Sequence, residues 1–161
     1  MRSNHNNITA DFVCKHCGYY VSERTELSGV VNRNHCPFCL HSRHVDLFIP
    51  GDRLCACKGL MAPVGLTFKV TRDKYVRQSN GELMLIHRCN FCGALSINRI
   101  AADDDAFRLL DILGKDPGNH PLLIENCRNS GIRLLGQDHR NLVHAQLFGS
   151  GVHNQPVASA L

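Results

Sequence analysis

Nine of the 161 residues are cysteine, and their spacing decides which chemistry is open to the chain. Three pairs have two residues between them, Cys14/Cys17, Cys36/Cys39 and Cys89/Cys92, while Cys55 and Cys57 are separated by one. A Cys-x2-Cys turn reverses the backbone between two thiols and aims both sulfurs at one tetrahedral ion, so two such turns complete a structural zinc site. Cys14, Cys17, Cys36 and Cys39 form Cys-x2-Cys-x18-Cys-x2-Cys, a zinc-ribbon spacing. For a second ion, Cys89 and Cys92 supply one half and Cys57 is the best third ligand. The fourth is open among Cys55, His44 and His87, and sequential and cross-braced pairings are both compatible with the spacing. Cys55 is nearest, but Cys-x-Cys chelation of one ion is strained. Cys127 stands alone and reads as a small buried hydrophobe.

The competing use of so many cysteines is disulfide bonding. Met1 to Asn7 contains no apolar stretch of the kind a secretory signal needs, and the longest apolar run is Leu83-Met84-Leu85-Ile86, too short for a membrane span. The sequence therefore predicts a reducing cytoplasm, where thiols persist as metal ligands. The formal charge of +4 assumes neutral cysteines. Eight thiolates with two Zn²⁺ would bring the holo-protein near zero, so net charge is weak support for a polyanionic partner. The distribution says more: residues 1–100 carry thirteen Lys/Arg against seven Asp/Glu, residues 101–161 five against seven.

The elements that must hold these ligands are short. Phe12-Val13 and Tyr19-Tyr20-Val21 read as strands around the first pair, and Leu85 to Arg88 with Ala94 to Ile97 repeat that arrangement around Cys89/Cys92. Gly18 and Gly93 follow the second cysteine of their pairs, where positive φ lets backbone N–H groups face the sulfurs. Leu66 to Val70 and Leu83 to His87 alternate about a turn that includes Asn80-Gly81, predicting a hairpin. After a break at Ala101, Asp103-Asp104-Asp105 starts a helix carrying Ala106, Leu109, Leu110 and Leu113 and stopped by Gly114. Leu122 to Arg128 and His139 to Phe148 form two further helices, the last capped by Asp138. The expected fold is a small zinc-stabilised α+β protein: a mostly β zinc-ribbon or knuckle domain over residues 8–102, a short C-terminal helical extension over 103–148, and a flexible tail over 149–161.

The run Arg33-Asn34-His35-Cys36-Pro37-Phe38-Cys39-Leu40-His41-Ser42-Arg43-His44-Val45-Asp46 resembles the motif of the RNHCP-domain family. Pro50-Gly51-Asp52-Arg53, Cys57-Lys58-Gly59 with Met61 and Pro63, His87-Arg88-Cys89-x2-Cys92-Gly93, and Asn98 to Ala101 with Asp103-Asp104 extend the resemblance over about residues 12–105. It implies a zinc fold and brings no reaction with it. In that pattern Cys57 and His44 are motif residues and Cys55 is not, so the resemblance points to a histidine as the fourth ligand, and His44 is taken with Cys57, Cys89 and Cys92.

Three functions fit these residues. The first is a non-catalytic module that binds nucleic acid, RNA or a ribonucleoprotein such as the ribosome, through Arg33, Asn34, His35, Arg43, Arg53, Arg88, Asn98 and Arg99, with Arg24 nearby. Tyr19, Tyr20, Phe38 and Phe48 could stack on bases, although in so small a fold they are expected in the core. The second is a protein–protein adaptor that uses the C-terminal helices as well. The third is a zinc-dependent nuclease or hydrolase built on His35, His44 and Asp46. Cysteine-rich coordination closes a zinc site to substrate and places this third reading last. Asp46, Asp52 and Arg53 are read as turn-fixing polar partners, because Pro50-Gly51-Asp52 is turn chemistry.

Overall fold

The computed structural model describes residues 11–69, 81–115 and 120–149. Two strands, β1 (Phe12–Val13) and β2 (Tyr20–Val21), pair antiparallel around the first cysteine pair, and a one-turn helix α1 (Thr25–Ser28) follows. The main sheet is antiparallel in the order β3 (Ser42–Arg43), β4 (Leu60–Lys69), β5 (Glu82–Cys89), β6 (Leu95–Arg99). Helices α2 (Ala106–Gly114), α3 (Pro121–Asn129) and α4 (Arg140–Phe148) complete a mixed architecture of sheet and helices. Among the described residues no helix is long and apolar enough to cross a membrane.

β4 begins at Leu60, six residues before the alternating segment seen in the sequence. Pro63 and Gly65 normally break strands, but a register shift between them makes a bulge, the one interior place a strand accepts proline. Asn80, half of the expected hairpin turn, lies outside the described residues, as do positions 150–161 of the expected tail.

α2 ends where the sequence indicates, but only Asp105 caps it, accepting from the Phe107 and Arg108 N–H groups at 3.1 Å. Asp103 and Asp104 turn away from the helix toward Arg33. Asp138 does not cap α4 either. It sits in a 3-10 turn, Gln137–His139, with its carboxylate 2.8 Å from His139 Nδ1.

One core joins the sheet to the helices. Leu66, Leu83 and Leu85 from the sheet pack with Leu109, Leu110, Ile112 and Leu113 of α2, with Leu135 and with Val143 of α4. This core has members on both sides of the expected boundary at 102/103. That boundary is where the two parts are tied together: Ala102 N–H donates to Ser28 O at 2.8 Å and Asp105 N–H to Pro37 O at 3.0 Å. Leu40 reaches the same core from the cysteine-bearing region, fully buried. Its carbonyl accepts from His87 Nε2 at 2.6 Å, while His87 Nδ1 accepts from Asn98 Nδ2 at 2.7 Å. Burial holds the His87 ring neutral, its pKa pushed down to about 3. The region around β1 and β2 has far less to hold it, a cluster of Cys14, Val21 and Cys36 with Phe12 and Cys39 against it.

Candidate metal centres

Each Cys-x2-Cys pair folds into the same knuckle. Cys14 N–H donates to Tyr19 O, Cys36 N–H to His41 O and Cys89 N–H to Ala94 O, at 2.8, 2.9 and 2.8 Å. Four residues into each knuckle a second bond returns to the first cysteine's carbonyl, from Gly18, Leu40 and Gly93, at 2.9, 2.8 and 3.0 Å. The returning residue has positive φ every time: 77° at Gly18, 61° at Leu40 and 76° at Gly93. Lys58, which follows Cys57, repeats the feature at 51°. Glycine adopts this conformation freely, whereas Leu40 and Lys58 hold it at a conformational cost. The turn points N–H groups at sulfur: His16 N–H lies 3.4 Å from Cys14 Sγ, Phe38 and Cys39 face Cys36, and Phe91 and Cys92 face Cys89.

These turns assemble two clusters of four donor atoms, each within 4.8 Å of the others, Cys14/Cys17/Cys36/Cys39 and His44/Cys57/Cys89/Cys92. The pairing is sequential in both. Sulfurs bound to one zinc at about 2.3 Å stand roughly 3.8 Å apart at the corners of a tetrahedron. Cys14 Sγ and Cys39 Sγ are 3.5 Å apart, Cys17 Sγ and Cys36 Sγ 3.6 Å, Cys57 Sγ and Cys89 Sγ 3.7 Å. His44 Nδ1 lies 3.2 Å from Cys92 Sγ. It is delivered there by a reciprocal backbone pair, His44 N–H to Gly59 O at 2.8 Å and Lys58 N–H to His44 O at 3.1 Å. Of the other possible fourth ligands, Cys55 is buried outside the cluster, and His87 is occupied by Leu40 and Asn98. Cys127 is buried, as a small hydrophobe would be.

The donor electrostatics fit a divalent cation. Burial opposes ionisation of Cys89, yet the N–H groups of Cys92 and Phe91 hold its thiol down at about 6. Its neighbour behaves oppositely. A Gly59 N–H hydrogen bond favours the Cys57 thiolate, but burial and the sulfurs of Cys89 and Cys92 leave it raised to about 11. In the first cluster burial pushes both Cys36 and Cys39 upward. Thiolates crowded this closely repel, and a bound dication turns that repulsion into attraction while displacing the remaining protons. A third group, His16, Cys39 and His41, shares Cys39 with the first cluster. Its two imidazoles are stacked parallel with centroids 3.5 Å apart, and His41 Nδ1 lies 3.0 Å from the Cys39 carbonyl.

Gly59 belongs to the second site although it offers no ligand atom. A Cβ there would stand 2.8 Å from Cys89 Sγ and 3.2 Å from Cys57 Sγ, and metal-bound sulfurs have nowhere to move. The Gly59→Ala variant is therefore expected to lower bound metal from two ions per chain to one, read by elemental analysis of the purified protein. Two ions in that variant would show that the sulfurs have slack. The sequence offered a signal for Gly59, its place two residues after Cys57, but not its reason.

The residues expected at a nucleic-acid surface scatter. Arg33 and His35 are buried, a correction to their reading as surface contacts. Arg33 pairs with Asp103 and Asp104 at 2.8 and 3.2 Å, and His35 Nε2 lies 2.8 Å from Asp104. Asn98 serves His87. Arg53 is shared between Asp46 and Glu23, both at 3.7 Å, and Arg99 lies 3.0 Å from Glu82. Arg24 is 4.0 Å from Glu26. Asn34 is half-buried, and Arg43 and Arg88 are exposed. The rings expected in the core are at the surface: Tyr19, Tyr20, Phe38 and Phe48 are all exposed. The hydrolase constellation does not form, because His35 sits on Asp104, His44 in the sulfur cluster, and Asp46 on Arg53. Asp52 fixes its turn, accepting from the N–H groups of Leu47, Phe48, Ile49 and Leu54.

Residues 9–110 match the family model of the RNHCP domain. No curated protein and no solved structure matches the chain.

Proposed function

The chain belongs to the RNHCP-domain family, and from that premise we propose that it is a non-catalytic, zinc-ribbon-like module with two structural zinc ions whose knuckle surface binds RNA, free or in a ribonucleoprotein such as the ribosome. The observation that carries the first half is that each cluster already offers four protein donors. Four donors satisfy tetrahedral zinc and leave no position for a substrate or an activated water. A reducing compartment such as the cytoplasm keeps these thiols available.

The RNA reading rests on aromatic rings at the knuckles. Tyr19 and Phe38 lie against each other with centroids 4.4 Å apart, and both are exposed. Phe91, inside the third knuckle, is 84% exposed. Rings held on rigid turns accept unstacked bases with little loss of entropy, and exposed Arg43 and Lys58 can meet the phosphates. Protein purified without chelators is expected to hold two zinc ions per chain and to carry RNA that leaves in high salt. Tyr19→Ala and Phe91→Ala are each expected to weaken single-stranded RNA binding about tenfold, since base stacking contributes ~1–3 kcal/mol.

A second reading, a protein adaptor, is favoured by one feature. Leu47, Phe48 and Ile49 form an exposed apolar tip that the Asp52 carboxylate holds rigid through backbone N–H groups. A zinc-loaded preparation without nucleic acid, whose captured protein partner is lost on Phe48→Ser, would replace the RNA reading with this one.

A further inference from the structure

A cavity of about 470 Å³ opens between β4, α2 and α3, within the roughly 300–1,000 Å³ of small-molecule pockets. Its walls are apolar: Val64 at the β4 bulge, Ile112 from α2, Leu123 from α3, and Leu134. Gly65 shapes one side, because a Cβ on it would collide with the Leu134 side chain that lies over it. Three cationic or protonatable groups also line the cavity, Arg88, Lys115 and His120, and among the described residues no Asp or Glu does.

These three contrast with the arginines that the fold has neutralised. Arg33, Arg53, Arg99 and Arg108 each have a carboxylate within 4.0 Å. Among the described residues no hydrogen bond or ion pair occupies the side chains of Arg88, Lys115 or His120. Pro121 opens α3 beside them. The start of this helix, with its partial positive charge, also lines the cavity. Unpaired positive charge gathered against an apolar wall calls for a counter-charge attached to an apolar body.

We propose that this cavity binds a small amphiphilic monoanion, an apolar chain or ring bearing one carboxylate. The carboxylate sits among Arg88, Lys115 and His120, where the guanidinium can grip both its oxygens. The apolar body lies against Val64, Ile112, Leu123 and Leu134. A nucleotide fits poorly, because its sugar hydroxyls and further charges would meet those four side chains without partners.

The test is calorimetric titration of the full-length, zinc-loaded protein with sodium decanoate, below the concentration at which it forms micelles. Decanoate is expected to saturate at one per chain, whereas sodium acetate and decyltrimethylammonium bromide bind at least tenfold more weakly. The first control removes the apolar body and the second reverses the charge. The double variant Arg88→Gln/Lys115→Gln is expected to weaken decanoate at least tenfold. Leu123→Trp, which fills the space, is expected to abolish binding while zinc content and thermal unfolding stay unchanged. Absence of saturable decanoate binding, equal binding of the cationic amphiphile, or decanoate affinity unchanged in both variants overturns the proposal.

Discussion

Stripping the metal with a strong zinc chelator is expected to unfold residues 11–43 completely and to loosen the rest, with full recovery on adding back two equivalents of Zn²⁺. The apolar cluster around the first four cysteines is small, with Cys14, Val21 and Cys36 as its buried members, and Val30 and Leu40 add little more burial to residues 11–43. Side-chain burial on that scale cannot offset the entropy of ordering more than thirty residues, roughly 1–2 kcal/mol of backbone each. A structural zinc contributes about 10–16 kcal/mol in small peptides, comparable to the whole net stability of a domain. The loss must spread, because Leu40 is both a knuckle residue and part of the main core. Hydrogen exchange should therefore show β1, β2 and the Cys36 knuckle unprotected in the apo-protein. Leu85, Leu109 and their neighbours should keep reduced protection, as they pack against one another independently of sulfur. Cys36→Ser should reproduce the first effect while leaving the second site loaded. An apo-protein with the exchange pattern of the holo-protein would show that the cysteines are not the scaffold.

The same contrast between local and distant causes explains what the sequence disclosed. Cysteine spacing and the glycines at 18 and 93 are local signals, and the knuckles they foretell are present as read. The positive φ at Leu40 and Lys58 was not legible, because no short-range rule places a leucine or lysine there. Tertiary contacts impose it, at Leu40 through core burial and the His87 hydrogen bond. Pro63 and Gly65 hid the first half of β4, since a bulge reconciles them with a strand only once the partner strand is known. Choosing His44 over Cys55 and His87 likewise needed the backbone pair that joins residue 44 to the 58–59 turn. Arg33 and His35 misled for the opposite reason. Charged residues beside a metal motif normally face solvent, and their partners stand about seventy positions away, at Asp103 and Asp104.

That buried pair leads to the second large effect. Asp104→Ala is expected to destabilise the zinc-saturated protein by ~3–5 kcal/mol, the usual consequence of removing one partner from a buried ion pair. Asp104 has a fully buried side chain. It accepts from Arg33 at 3.2 Å, from His35 Nε2 at 2.8 Å and from the Ala101 N–H at 2.8 Å. Without it the Arg33 side chain, 1% exposed, keeps the His35 carbonyl at 3.1 Å but as counter-charge only Asp103, which is itself 37% exposed. A stranded buried charge costs far more than the pair contributes, so removing both charges should hurt less than removing one. Arg33→Met combined with Asp104→Leu is accordingly expected to recover at least half of the loss. Urea unfolding in excess zinc reads all three proteins, with metal content held at two ions per chain to separate this effect from ligand loss. If Asp104→Ala unfolds within 1 kcal/mol of the parent, the knuckle region and α2 are not held together by this pair. If it behaves as expected, Arg33→Ala reports on stability alone, and RNA contacts must be sought at Arg43 and the exposed rings.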